Sequence, residues 1–248
     1  MSTKITKKIV INSPDGHVVF DGLDFTEDAT IEIEAAASVT FRNCRFYNIM
    51  LDTTKELPLI GNLHQNANAN GYKLVIENCY FGKTGTYNMI NVGQMLFDGS
   101  AFNNNYCTND CSNDDRFAFY MTENGATYDF NGNHFENYSH NNIQCSFHGD
   151  AEVTININEN HIGIPADNIE QENRGLVRFR PHPKKTTSFA HVKINADNNE
   201  FEGETDRIAF CQMKSVNDLL LTEENVPIYN LNGVVTPIEI VDLRTATT

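Results

Sequence analysis

Two carboxylates have a spacing that could support acid–base chemistry. Asp98 and Asp129 fall in consecutive copies of a repeated phrase, two positions out of step. Across adjacent strands that diagonal spans roughly 7–8 Å. An inverting glycosidase holds its acid and base roughly 6.5–9.5 Å apart. No Arg or Lys falls in that patch to serve as a lyase base, and among 33 acidic residues chance pairing is the plainer reading. His134 and His161 hold the same position in consecutive copies, with Glu200 next. That set suits a metal or a pH-sensitive cluster, though chance adjacency explains it as well. The stretch TNDCSNDD offers Asp110, Asp114 and Asp115 without the ordered spacing of a calcium loop. No metal and no cofactor are expected.

Cations are concentrated in one place. Arg174, Arg178, Arg180, Lys184, Lys185 and Lys193 are six of the 18 basic residues, within 20 positions. Arg178 and Arg180 alternate along one apolar run and should share an outer face. Beside the reading of local charge balance stands a docking one: Arg178, Arg180, Lys184 and Lys185 meet an acidic surface or an acidic glycan. The net charge of −15 disfavours bulk binding to nucleic acid or an anionic membrane. The six cysteines show no CxxC and no zinc-like spacing, so they read as buried thiols. No run of 18 apolar residues exists, and the first apolar run, IVI, is too short for a secretory signal. Synthesis in a cytoplasm without a signal peptide is the expectation.

Positions in such a chain must be set by its repeat. At 39 it reads VTFRNCRF and at 74 LVIENCYF, both of the form apolar–x–apolar–x–Asn–Cys–x–Phe. The form recurs as VVFDGLDF at 18, MLFDGSAF at 95, YDFNGNHF at 128, ININENHI at 155 and INADNNEF at 194, with a fainter eighth copy near Val226 and Ile228. Alternation puts positions one, three, six and eight on one face. Position five is Gly22, Asn43, Asn78, Gly99, Gly132, Glu159 and Asn198. Gly and Asn tolerate a left-handed backbone. Each phrase therefore reads as strand, sharp bend, strand.

The seven starts are spaced 21, 35, 21, 33, 27 and 39 residues apart, which suggests a minimal coil of 21 residues lengthened by loops. No 3.6-residue periodicity marks a helix. Further apolar runs follow the phrases: IML at 49, INV at 90, FAFYM at 117, IQCSF at 143, LVRF at 176 and IAFCQM at 208. One coil cannot bury its own inward face, so its neighbour must carry a matching set. Val39 should then lie over Leu74, Phe41 over Ile76, Cys44 over Cys79 and Phe46 over Phe81. Phe41, Ile76, Phe97, Phe130 and Ile157 should form one core column. Asn133, Asn160 and Asn199 should form an interior amide ladder.

These coils, their Asn-rich bends and their unequal loops resemble the right-handed parallel β-helix superfamily, which includes pectate-lyase-like enzymes and many phage tailspike and virion proteins. The resemblance covers about residues 18–215. It implies an all-β fold, a right-handed single-stranded parallel β-helix (a solenoid) of about seven coils with long loops. Residues 1–17 would be an N-terminal arm or cap, and 216–248 a C-terminal cap and extended arm, lying on this chain or a neighbour.

Outward positions divide into ladders and a patch. Position four begins Asp21, Arg42, Glu77 and position seven begins Asp24, Arg45, as surface ion-pair ladders would. Position two begins Val19, Thr40, Val75, Leu96. Val75 and Leu96 would be apolar outside as well as inside, so a loop such as 52–72 or a partner should cover them. The resulting expectation is a non-enzymatic virion protein, a bacteriophage capsid-decoration, head-fibre or tail component that docks on other virion proteins or on itself and adheres to surfaces, with a glycan as a further ligand. The alternative is a polysaccharide lyase or glycoside hydrolase of the pectate-lyase-like group, with Asp98 and Asp129 as its carboxylates.

Overall fold

The computed structural model describes residues 2–49, 59–62, 72–82, 90–96, 99–108, 115–121, 126–136, 141–147, 152–163, 175–181, 191–195, 198–202, 209–213, 228–231, 234–237 and 240–242. Among them the chain is all-β, with no helix. Two parallel sheets account for every strand. One runs Thr3–Ile5, Leu23–Glu27, Arg45–Ile49, Tyr80–Phe81, Tyr106–Cys107, His134–Phe135, His161–Gly163, Glu200–Glu202, Ile228–Leu231, then Val234–Pro237. Its last pair is antiparallel.

The second sheet has two long strands, Ile9–Asp21 and Ile31–Arg42, paired with each other. From Ile31–Arg42 it divides. Ser38–Arg42 continues into Lys73–Glu77, Ser100–Asn103, Ala126–Asp129, Glu152–Asn156 and His191–Asn195. Ile31 continues into Ile60–Asn62, Ile90–Leu96, Asp115–Met121, Asn141–Phe147, Gly175–Pro181, Ala209–Met213 and Ile240–Asp242. Apart from the first strands and Val234–Pro237, each strand lies beside the one that precedes it by one repeat of the phrase. The long strands of the first repeats run through both branches without a break.

The phrase explains this local geometry. Its first half is a strand of the first branch and its second half a strand of the ten-stranded sheet. The residue between them is left-handed: Gly22, Asn43, Asn78, Asn104, Gly132, Glu159 and Asn198 all have φ between 53° and 66°. Val39 pairs with Leu74, Phe41 with Ile76 and Phe46 with Phe81, as expected. Inward side chains are buried in rows. Phe25, Phe46 and Phe81 stack at 4.7 and 4.8 Å, and Phe20 stacks on Phe41 at 4.9 Å. The two rows meet edge to face, Phe41 against Phe46 at 5.7 Å. Fully burying one such ring is worth about 1.5–3 kcal/mol, with about 0.5–1.5 more per aromatic pair. Cys44, Cys79 and Cys107 are buried free thiols. Cys111 lies outside the described residues.

The fourth phrase is not where the sequence pattern put it. Ile76 pairs with Phe102, and Ser100 pairs with Tyr128, so the fourth copy is SAFNNNYC at 100, not MLFDGSAF at 95. Phe97 lies outside the described residues, and Phe102 fills the core column between Ile76 and Phe130. Corrected starts of 18, 39, 74, 100, 128, 155 and 194 leave a single 21-residue spacing. Ser100 occupies an inward position because its hydroxyl has a task there: it accepts from the Leu74 N–H at 3.2 Å. In the apolar run IML, Ile49 closes the strand Arg45–Ile49, and Met50 and Leu51 lie outside the described residues. The strand between Ile31 and Ile90 is Ile60–Asn62.

The described residues nearest both termini join the sheets. Thr3–Ile5 pairs with Leu23–Phe25, and Ile9–Asp21 with Ile31–Arg42. Ile228–Leu231 pairs with Glu200 and Phe201, and Ile240–Asp242 with Cys211–Met213. These C-terminal strands of the segment expected as an arm therefore pair within this chain.

Candidate functional site

Position seven of the phrase carries the most chemical variety on one line. In register it reads Asp24, Arg45, Tyr80, Tyr106, His134, His161 and Glu200. Parallel pairing repeats each position about 4.8 Å along the stack, and flat rings at that spacing stack. Tyr80 and Tyr106 lie 6.2 Å apart, Tyr106 and His134 4.6 Å, His134 and His161 4.5 Å, with planes within 14°. The Arg45 guanidinium sits 5.5 Å from the Tyr80 ring and 5.2 Å from Tyr47, a cation–π cap at one end. At the other end His161 lies 3.6 Å from Glu200.

This stack is a stripe of ring edges. The flat faces are occupied by neighbouring rings, so a sugar or base has no free platform between them. What points outward is polar: phenol hydroxyls and imidazole nitrogens. The Tyr106 hydroxyl donates to the Glu136 carboxylate, and that hydrogen bond, followed by burial, raises its pKa. His134 lies 3.8 Å from the same carboxylate. Among the described residues no group of three His, Cys, Asp or Glu side chains converges to hold a metal. His134, His161 and Glu200 are adjacent as expected, but as a stack.

Behind this face runs an amide ladder through the core. Asn105, Asn133, Asn160 and Asn199 are buried at position six. Each amide from Asn105 to Asn160 donates to the next Oδ1, at 3.1, 2.9 and 2.9 Å. The same oxygens accept the preceding backbone N–H, at 3.0, 2.9 and 3.1 Å. The second amide hydrogen goes to a strand carbonyl, for example from Asn133 to Phe102 O at 2.8 Å. Asn105 Oδ1 ends the ladder by accepting from Cys79 N–H at 2.8 Å. Every polar atom of a buried Asn133 is thus paired, which is what makes such a group tolerable inside. Beyond Asn105 the position holds Cys79 and Cys44. The Cys79 thiol donates to Glu77 O at 3.4 Å, and the neighbouring Cys44 thiol, together with burial, pushes the Cys79 pKa up.

Outer positions carry shorter ladders. Asn156 donates to Asp129 Oδ1 at 2.7 Å and Asn195 to Asn156 Oδ1 at 2.7 Å. Asn131 N–H donates to Asn103 Oδ1 at 2.9 Å, and Asn158 to Asn131 Oδ1 at 3.0 Å. Arg42 pairs with Asp21 at 2.9 Å. The Asn43 amide donates to that carboxylate at 3.0 Å, and this bond first, the Arg42 charge after it, lowers the Asp21 pKa.

The other expected site residues fare unevenly. Asp129 is bound into the Asn156 ladder, with Ala101 in register on its other side. Asp98 lies outside the described residues, and Asn103 takes the position-four place once assigned to it. The proposed carboxylate pair thereby loses the register that suggested it. Val75 pairs with Thr40 and Ala101, so Ala101 stands where Leu96 was expected. Leu96 instead pairs with Met121 in the other branch, which separates the two members of the apolar patch. Arg178 and Arg180 lie on Gly175–Pro181, in register with Gln144 and Ser146. Lys184, Lys185, Asp110 and Asp114 lie outside the described residues, and Asp115 begins a strand. Tyr106 and Asn105 were missed because the fourth phrase was placed five residues early. Comparison with protein-family models, with curated proteins and with solved structures gives no match.

Proposed function

We propose that the chain is a right-handed parallel β-helix, a solenoid of about seven coils, serving as a non-enzymatic structural protein of a virus particle. Its setting would be a bacteriophage capsid-decoration, head-fibre or tail position, where protein docks on protein. Two strand orders that step through the repeats in sequence support the solenoid. Crossovers between parallel strands are right-handed in about 98% of cases, which supports the hand. The observation that carries the functional reading is the bonding of outward polar side chains to their counterparts one repeat away. Ladders such as Asn195–Asn156–Asp129 and Asn158–Asn131 engage the groups a catalyst would keep available. Such a face suits a stiff spacer. The net charge of −15 favours solubility at high local density.

Two measurements test this reading. An antibody to the chain should label intact particles at a fixed copy number, and a chain found only free in the lysate refutes the particle assignment. Incubation with neutral and acidic polysaccharides should release no reducing ends or unsaturated products. Turnover abolished by Asp129→Asn in a folded protein would establish the lyase or hydrolase instead.

A further inference from the structure

The strand Ile9–Asp21 is an edge: its one partner among the described strands is Ile31–Arg42. It spans 13 residues in two paired stretches, Ile9–Ser13 and His17–Asp21, on either side of an irregular segment that holds Pro14, and each open edge stretch is a template for another strand. Two observations define what fits it. Ile9 N–H donates to Thr30 O at 2.8 Å, and Gly22 N–H to Arg42 O at 3.0 Å. By strand alternation the backbone groups of Val10, Val19 and Asp21 then point away from Ile31–Arg42, toward the open side. Val10 and Val19 are also the most exposed large apolar residues described, at 49% and 53%.

The strand shifts its register to the neighbour between Ile11 and Asn12 and again between Ser13 and His17, irregularities of the kind that bend a strand. It therefore has two arms. A two-fold axis through the bend exchanges them, laying each arm antiparallel on the other arm of a second copy. In the register where residue numbers sum to 29, Val10 faces Val19, both outward, as a hydrogen-bonded pair. Ile9 faces Phe20 and Ile11 faces Val18, all inward. Lys8 faces Asp21. Lys8 already pairs with Glu32, and Asp21 with Arg42, so charges alternate along Glu32, Lys8, Asp21 and Arg42 across the junction. Ile9, Val18 and Phe20 are half-buried ends of core rows, and this pairing continues those rows into the second copy. The same axis would bring the Thr3–Ile5 edge near its own counterpart, and Asp24, in register behind each Lys4, would offset that like-charge approach.

We propose that two copies of this chain associate head to head through Ile9–Asp21, in a two-fold dimer with Val10 opposite Val19. This deepens the docking reading by naming one surface and one occupant. It is tested on purified protein, so its failure is separate from failure of the particle assignment.

Sedimentation of the full chain at micromolar concentration should give twice its 27.9 kDa mass. Val10→Lys alone, or Val19→Glu alone, sets a charge against valine and should weaken the dimer on the order of a hundred-fold. The double variant sets opposite charges against each other at both places and should recover most of that loss. Circular dichroism confirms that each monomer is folded; both sites are outward and half exposed, so folding should persist. A monomeric parent overturns the proposal. So do single variants that still dimerise like the parent, or a double variant no tighter than the singles.

Discussion

Replacing Asn133 by alanine removes four hydrogen bonds from the middle of the buried amide ladder. Its Oδ1 accepts from Asn105 N–H and Asn105 Nδ2, at 3.0 and 3.1 Å. Its Nδ2 donates to Asn160 Oδ1 and Phe102 O, at 2.9 and 2.8 Å. The two donors on Asn105 are then left inside without an acceptor, and each unsatisfied buried group costs about 1–3 kcal/mol. Asn160 Oδ1 keeps the Asn133 backbone N–H, at 2.9 Å, so the acceptor side suffers less. The expected loss is about 4 kcal/mol, a large part of the roughly 5–15 kcal/mol that holds a domain folded. For a chain of this length that is a drop of roughly 8–16 °C in melting temperature. Asn158→Ala is the control. It removes the same kind of amide bond, 3.0 Å to Asn131 Oδ1, at a part-buried outer site where water can replace it. Its cost should stay below about 1 kcal/mol. Thermal and urea unfolding followed by circular dichroism measure both. If Asn133→Ala proves no more damaging than Asn158→Ala, satisfaction of buried amides is not what the inner ladder contributes.

Three further outcomes are expected. Gly99 has φ +81°, and a Cβ there would run into the Thr127 carbonyl, so Gly99→Ala should cost about 2–5 kcal/mol in urea unfolding; a neutral result refutes that close approach. Glu159 is left-handed at φ 58°, where four other copies carry Asn, so Glu159→Asn should raise stability by about 0.5–1 kcal/mol, read as a higher urea midpoint. The Tyr72 hydroxyl is fully buried without a hydrogen-bond partner, and burial raises its pKa. Tyr72→Phe should therefore be neutral or stabilising at pH 7. With the folded pKa above the ordinary value of 10.0, this group's stability contribution is complete below pH 10 and declines above it, so the variant should also withstand base to higher pH. A destabilised variant, or an unchanged base midpoint, refutes this.

The part of the fold visible in the sequence is the part written by side-chain alternation. Val39 over Leu74 and Phe41 over Ile76 follow because both phrases place apolar residues at the same inward positions. The fourth copy was misplaced because MLFDGSAF and SAFNNNYC overlap, and the true copy starts with a polar Ser100. Apolar pattern alone favoured the wrong one. The ladder at position six held the missing signal. A start at 100 continues Asn133, Asn160 and Asn199 upward to Asn105, whereas a start at 95 breaks the series at Ser100. The same five-residue slip hid the ring stack. It put Ala101 where Tyr106 belongs, which separated Tyr80 from His134 and made a continuous stripe look like an isolated histidine pair. The edge at Ile9–Asp21 was invisible for another reason: alternation marks inside and outside, but says nothing about which strand has a neighbour on one side alone.

The ladders also have a sense of direction. In the core, each amide N–H₂ from Asn105 to Asn160 points toward the chain's later repeats. On the surface, Asn158, Asn156 and Asn195 point theirs toward earlier ones. Aligned amide dipoles add along a hydrogen-bonded row, as peptide dipoles do along a helix, and each bond polarises the next. The inner and outer rows therefore carry opposed dipoles and largely cancel. Asp129 places its carboxylate where the outer row of Asn195 and Asn156 presents its positive end, as an acidic residue does at a helix start. Adding a repeat that carries both rows would lengthen the stack without building up a field along its axis.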